Sequence, residues 1–424
     1  MKKAFLNLEI CSIIFLLAFT ISFSFLPAYA SEETAQEPVE QSITVVSVSE
    51  ISEDEPIEQE ISHLSDDLSE LDSESHVEFE RVIYNILMTV SDYSYNVLVV
   101  NAVNKQIRFF SEKGRKAFSK WLSRSGRYIK LMQDILKENN IPEEIVFLPL
   151  IESGFNPYAY SPARAVGYWQ FMASTARIYD LNIDWWRDER RDFIKSTIAA
   201  ANYLNDLYGK FGSWNLAIAA YNAGEGKIFR ALYRTKTDNY WGLIKTRYIK
   251  KETKEYVPKF IAATLIANSP QEFGFEDIEY HPPLNYEVVT VPSPVDLDII
   301  AECAETSVSE IRGLNPELKR WCTPPNVSEY TLRIPEGKKD SFLERFSLIP
   351  AEKRFKADIY KVKKGDTLKK IAKKMGIPLQ IIRDLNSDKK LSPLKIGTNI
   401  YLPPKGKFVL RKDDRMLLSR KTSL

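Results

Sequence analysis

The chain reads as a mainly α region followed by two small α+β modules of βααβ pattern. Three observations lead there. Between His76 and Phe273 helix-forming residues recur at helical spacing, loops are marked by Gly and Pro, and six of the seven tryptophans fall in this stretch. After Phe275 prolines become frequent and β-branched residues gather at Tyr286 to Val291. Two later segments then resemble each other. Tyr286-Glu287-Val288 is followed by Ile300-Ala301, Leu314-Asn315 and the closing Leu332-Arg333-Ile334-Pro335. Tyr360-Lys361-Val362 is followed by Ile371-Ala372, Leu385-Asn386 and the closing Ile400-Tyr401-Leu402-Pro403. Each reads as strand, helix, helix, strand.

Taken in order, residues 1–30 have the features of an export signal. Lys2 and Lys3 are its basic end, an apolar run extends from Ile10 to Phe25, and Ala28-Tyr29-Ala30 is a small-x-small cleavage site. Uncleaved, the same run would serve as a membrane anchor. Residues 31–75 lack aromatics and read as an acidic disordered linker: positions 31–80 hold 17 Asp or Glu and no Lys or Arg. Residues 76–275 form the helical domain, with helices expected in Gly114 to Leu136 and Lys195 to Tyr208. The modules occupy 286–337 and 358–404, and 405–424 is a basic tail. The net charge of +1 therefore hides an asymmetry, since residues 354–424 carry 20 basic and 6 acidic side chains. Such a surface suits a polyanion. With an export signal, an anionic wall or membrane is expected rather than nucleic acid, the alternative being a solvated basic face with no ligand.

His63, His76 and His281 make no metal-ligand spacing, and neither a phosphate-binding Gly-rich loop nor Cys-x-x-Cys occurs, so no metal or nucleotide cofactor is expected. Cys303 and Cys322 lie within the first repeat. They are read as one disulfide of an oxidising compartment, the alternative being two buried thiols.

Glu152 is the chemical centre of the sequence. Pro142, Glu143 and Glu144 suit a helix start. Ile145, Leu148 and Glu152 follow at i, i+3 and i+7, which sets a carboxylate on the apolar stripe of its own helix. Burial raises a carboxyl pKa, and a carboxyl protonated near neutrality is what a glycosidic general acid requires. Pro149 is expected to kink this helix or mark its last turn. Three further strings accompany it: Ser161 to Met172, Ala219-Ala220-Tyr221-Asn222-Ala223-Gly224, and Glu252 to Val257.

With Ile151-Glu152-Ser153, the Gly167-x-x-Gln170-Phe171-Met172 stretch and Ala219 to Gly224, the span from about Ile107 to Ala267 resembles the goose-type lysozyme-like domain of the soluble and membrane-bound lytic transglycosylases. Gly114-Arg115-Lys116 and Trp121 upstream, and Tyr256-Val257-Pro258 downstream, are similar to the membrane-bound lytic murein transglycosylase D group. Tyr360 to Pro403 resembles a LysM peptidoglycan-binding module with Gly365-Asp366-Thr367 after its first strand. Tyr286 to Pro335 resembles a degenerate LysM with Ser293-Pro294-Val295 in that place.

The resemblance implies a periplasmic or envelope lyase cleaving between MurNAc and GlcNAc, with one glutamate as acid and then base, closing a 1,6-anhydro ring. It assigns Glu152 to that role, Tyr221 to orienting it, Ser161, Gln170 and Asn222 to the substrate, and Tyr256 to the cleft. The only second acid within the first three signatures is Glu225, expected to face solvent, which favours a one-acid mechanism over a hydrolytic muramidase. A catalytically silent wall-binding protein is the third reading. Glycan strands are the expected partner, nucleic acid is not, and the chain is expected to be monomeric.

Overall fold

A computed structural model describes residues 97–387, 389 and 391–408. The signal, the acidic linker, residues 76–96 and the tail beyond 408 lie outside the described residues. Among those described, no helix is long and apolar enough to cross a membrane.

The helical domain comprises α1 (Val97–Ser111), α2 (Arg115–Ser125), α3 (Ile129–Glu138), α4 (Leu148–Ser153), α5 (Ala173–Ile178), α6 (Phe193–Phe211), α7 (Trp214–Ala223), α8 (Glu225–Thr235), α9 (Tyr240–Ile244) and α10 (Lys251–Asn268). Its centre is α7, all ten of whose residues are buried. A helix apolar all round must be enclosed, and α6, α8 and α10 enclose it. Helix α6 is set at both ends by its own sequence. The Asp192 carboxylate accepts from the Ile194 and Lys195 amides at 2.9 and 2.8 Å, and Gly212, left-handed at φ 64°, returns its amide to Tyr208 O at 2.7 Å.

The expected single helix from Pro142 is instead two elements. Glu143–Phe147 is a 3₁₀ turn, and α4 starts afresh at Leu148. Pro149 accounts for the break. It occupies the first turn of α4, where its missing N–H removes no helical bond. Pro149 therefore opens the helix rather than kinking it, and Ile145, Leu148 and Glu152 are still all buried.

The first module contains β1 (Tyr286–Pro292), α11 (Leu297–Cys303), α12 (Val308–Leu314) and β2 (Glu329–Pro335), with β1 antiparallel to β2 in the register Tyr286↔Pro335. A further helix, α13 (Lys339–Leu348), adds Phe342 and Phe346 to its core, so the unit runs past the expected end at 337. The second contains β3 (Asp358–Lys361), α14 (Leu368–Met375), α15 (Leu379–Asp384) and β4 (Asn399–Leu402), in the register Asp358↔Leu402. The repeated Leu-Asn has one structural cause. Asn315 donates to Ile311 O and Arg333 O, both at 2.7 Å, and accepts from Arg333 N at 2.8 Å. Asn386 does the same with Ile382 O, Tyr401 O and Tyr401 N at 2.8, 2.9 and 2.8 Å. In each module one buried amide sews the second helix to the closing strand.

The three units meet at Trp185, Trp186 and Trp321, whose ring centroids lie 4.5 to 5.9 Å apart. These rings share a core with Ile371, Ile381, Ile400 and Leu402 of the second module, and Trp186 Nε1 donates to Asp384 Oδ2 at 2.8 Å. Cys322 belongs to this cluster, whereas Cys303 belongs to the core of the first module. The expected disulfide is therefore absent: both cysteines are free and buried, each serving a different core as a small apolar side chain. Burial pushes both thiols up in pKa.

Non-reducing peptide mapping with alkylation after unfolding is expected to recover both Cys303 and Cys322 in the alkylated form that marks a free thiol. Trp186→Ala is expected to destabilise the protein by about 3–5 kcal/mol, read as a lowered urea midpoint, because it empties a fully buried site shared by two units.

Candidate active site

Glu152 sits one residue before the end of α4, and the end is fixed by packing. Gly154 is left-handed at φ 56°, and a Cβ there would lie 2.2 Å from the Trp121 ring. Ser153 ties the same turn to the next string by donating to Tyr168 O at 2.8 Å. The carboxyl of Glu152 is 3% exposed. Its Oε1 accepts from the Tyr256 hydroxyl of α10, and its Oε2 has no hydrogen-bond partner among the described residues. Burial pushes its pKa up to about 7, helped by the nearby Glu252 charge; the Tyr256 bond and the Lys259 charge hold it lower than burial alone would. Near neutral pH this carboxyl both gives and takes a proton readily.

The string 161–172 folds back on itself through bridges Tyr160↔Val166 and Val166↔Phe171. Ser161 is buried and its hydroxyl accepts from Ala165 N at 2.9 Å, so it builds its own turn. Gln170, at φ 49°, donates through Nε2 to Gly167 O at 2.8 Å. Gly167, at φ 84°, is required, since a Cβ there would meet Arg190 O at 1.9 Å. Gln170, Phe171, Met172, Tyr203, Tyr221 and Asn222 are among the residues that line a shallow open groove; Glu152 is not one of its lining residues, but its charge acts on Tyr221, which is. Tyr168 and Trp169 of the same string are buried core rings.

The two tyrosines exchange the roles expected of them. Tyr221 donates to Trp169 O at 2.6 Å, fastening α7 to the loop, and Tyr256 is the residue bonded to Glu152. Burial, then the Glu152 charge, pushes both phenols well above their ordinary pKa. Asn222 joins them: its Oδ1 accepts from Thr253 Oγ1 at 3.2 Å, next to Tyr256 on α10.

Sequence reasoning missed Glu252 and Lys259. They stand four residues before and three after Tyr256 on α10, so helical spacing from Tyr256 would have found both. Glu252 is half-buried, and burial raises its own pKa. Glu225 pairs with Lys210 at the surface, as expected of a solvent-facing acid. Among the described residues no His, Cys, Asp and Glu cluster could hold a metal ion.

A buried acid in a helical domain, an open groove in the same domain and two appended βααβ modules are the features to compare with known proteins. Residues 131–244 match the transglycosylase SLT domain, 285–351 the LysM-like domain of lytic transglycosylase MltD, and 360–403 the LysM domain. The chain is 32% identical over 296 residues to membrane-bound lytic murein transglycosylase D of Escherichia coli strain K12, covering 66% of this chain and 64% of that protein. It thus spans a little under two thirds of that relative's length. It is 40% identical over 115 residues to a putative tributyltin chloride resistance protein of Alteromonas sp. strain M-1, covering 27% of this chain and 56% of that one. An inactive mutant of lytic transglycosylase Slt from Pseudomonas aeruginosa aligns with 35% of this chain and 25% of its own, at 22% identity and a TM-score of 0.29.

Tyr256→Phe removes the hydrogen bond that stabilises the ionised Glu152, so the Glu152 pKa rises. The alkaline limb of the kcat/KM profile is expected near pH 7 in the parent protein and at higher pH in the variant, with a lower peak rate. A pH–rate series on both proteins measures the shift.

Proposed function

We propose that this chain is a lytic transglycosylase that cuts the β-1,4 bond between MurNAc and GlcNAc in peptidoglycan. Protonated Glu152 delivers its proton to the glycosidic oxygen through the free Oε2, while Tyr256 holds Oε1. The carboxylate so formed then takes the proton of the muramoyl C6 hydroxyl as that oxygen attacks C1. The C1–O bond to GlcNAc breaks, the 1,6-anhydro ring closes, and Glu152 ends protonated as it began. No water is consumed. The observation that carries this reading is a single carboxyl buried among aromatics, anchored at one oxygen and unpartnered at the other, with a pKa near 7. The transglycosylase SLT and LysM matches support the same substrate. Gln170, Tyr221 and Asn222 would frame the sugar, with Ser161 shaping the loop beneath it.

Glu252 gives a second reading its footing. A second carboxylate beside Glu152 could activate water, which would make the protein an inverting muramidase. The three cations that act on Glu252, Lys259, Lys250 and Lys227, favour its ionised form as an electrostatic partner of Glu152.

The second module would retain the protein on the wall, aided by the exposed Lys369, Lys370, Lys373 and Lys374 of α14. The signal-like start of the chain and the membrane-bound relative support an exported protein acting at the cell envelope.

Glu152→Gln keeps the shape of the side chain but cannot supply a proton. It is expected to lower turnover by at least about 10²–10⁴-fold with an unchanged melting temperature. Mass spectrometry of digested peptidoglycan decides between the two mechanisms: anhydro-muramoyl ends, one water lighter, support the transglycosylase, and reducing muramoyl ends overturn it.

A further inference from the structure

The first module touches the helical domain along a strip at residues 184–193, and also at Tyr158, whose hydroxyl donates to Arg312 O at 3.5 Å. Its segment from Glu317 to Arg320 lies against residues 184–189 through the antiparallel bridge Arg187↔Leu318, with Asp188 N donating to Glu317 O and Lys319 N to Trp186 O, both at 2.9 Å. Arg320 Nε donates to Trp185 O at 2.8 Å. Arg333 of β2 closes the strip. Its Nη2 reaches both oxygens of Asp192, at 3.0 and 2.9 Å, and its guanidinium lies 4.3 Å from the Phe193 ring centroid.

The same short strip faces the active-site loop on its other side. Asp188 accepts from Arg190 Nε and Nη2 at 2.9 and 2.8 Å. Arg190 Nη1 then donates to Phe171 O at 3.0 Å and to Arg164 O at 3.2 Å. These carbonyls belong to the two arms of the loop that carries Ser161 and Gln170. Gly167, at its middle, rests on Arg190 O. Three residues of this loop have left-handed backbone, Arg164 at φ 71°, Gly167 at 84° and Gln170 at 49°. Two of them are not glycine, and such conformations persist only where the surroundings impose them. Asp188, Arg190, Asp192 and Arg333 are all buried. Buried ion pairs are poor adhesives compared with apolar contacts, but a planar guanidinium fork fixes orientation.

We propose that the first module is a positioning element of the active site: docked on residues 184–192, it holds the Ser161–Phe171 loop in catalytic shape through Asp188 and Arg190. Its task is to set the geometry of the groove, whichever module binds the wall. Arg190 and Arg333 are positioning residues. The inference rests on the groove reading above for its kinetic consequence alone.

The test uses the full chain with soluble, uncross-linked glycan strands as substrate, which removes wall retention from the measurement. Arg190→Lys keeps the charge and loses the fork. Arg333→Met combined with Asp192→Asn removes the dock pair; the buried Glu317, whose Oε2 lies 3.9 Å from Arg333 Nη1, loses the same cation and its carboxyl is pushed further up in pKa. Both are expected to lower kcat by about tenfold or more, with KM changed by less than about threefold and amide hydrogen exchange accelerated across residues 161–171. The proposal is overturned if exchange quickens only within 184–192 and 317–333 while the 161–171 amides and kcat stay at parent values. Should the double variant not fold, Arg190→Lys decides alone by the same two readouts. The exchange result needs no turnover, so failure of the parent protein to cut glycan would count against the proposed reaction and leave the positioning test intact.

Discussion

A carboxyl kept out of water is the constraint around which this protein is organised. Water would return Glu152 to an ordinary carboxylate pKa, and it would then be ionised and useless as an acid near neutrality. Exclusion is achieved by short, over-determined local structure rather than by one long helix. Pro149 opens α4, Gly154 closes it against Trp121, and Ser153 bonds across to the Tyr168 carbonyl. Six residues so fixed leave the Glu152 side chain one place to go, beneath Tyr256. That tyrosine satisfies one oxygen and leaves the other without a hydrogen-bond partner, and it offsets part of the desolvation, so the pKa settles near 7 instead of rising further.

Around this point the helical domain supplies two walls. One is α10, whose face carries Glu252, Tyr256 and Lys259 in successive turns. The other is the loop 161–171, held from behind by Arg190 and from α7 by Tyr221. The appended modules are continuous with these walls. Trp185 and Trp186 leave the helical domain to share a core with the second module, and the strip that bears them also bears Asp188 and Arg190. A module joined through such a core cannot swing freely, because moving it would expose large aromatic area to water.

Helical periodicity, the repeat and the four short strings were open to sequence reasoning because each depends on residues close in the chain. The repeat is legible in its Tyr-x-Val, Ile-Ala, Leu-Asn and closing-strand positions, and the Asn315 and Asn386 staples are the physical need behind the Leu-Asn pair. Three readings failed for one reason: each required knowing which distant segments meet. Tyr221 and Tyr256 are equally plausible partners for Glu152 until α7 and α10 are packed. Cys303 and Cys322 share a module in sequence yet point into different cores. Glu252 lay in a string already singled out, but its approach to Glu152 is a contact between elements 100 residues apart.

By itself, then, the sequence determined the helical domain, the two βααβ modules and the glutamate on an apolar stripe, because spacing within one helix or strand decides which side chains share a face. Only the tertiary structure decided which tyrosine holds that glutamate, that the cysteines stay apart, and that the first module docks on the strip 184–192 whose Arg190 binds the loop carbonyls. Those outcomes depend on burial and on hydrogen bonds across long loops, where the free energy is set by which surfaces exclude water together and not by any local pattern.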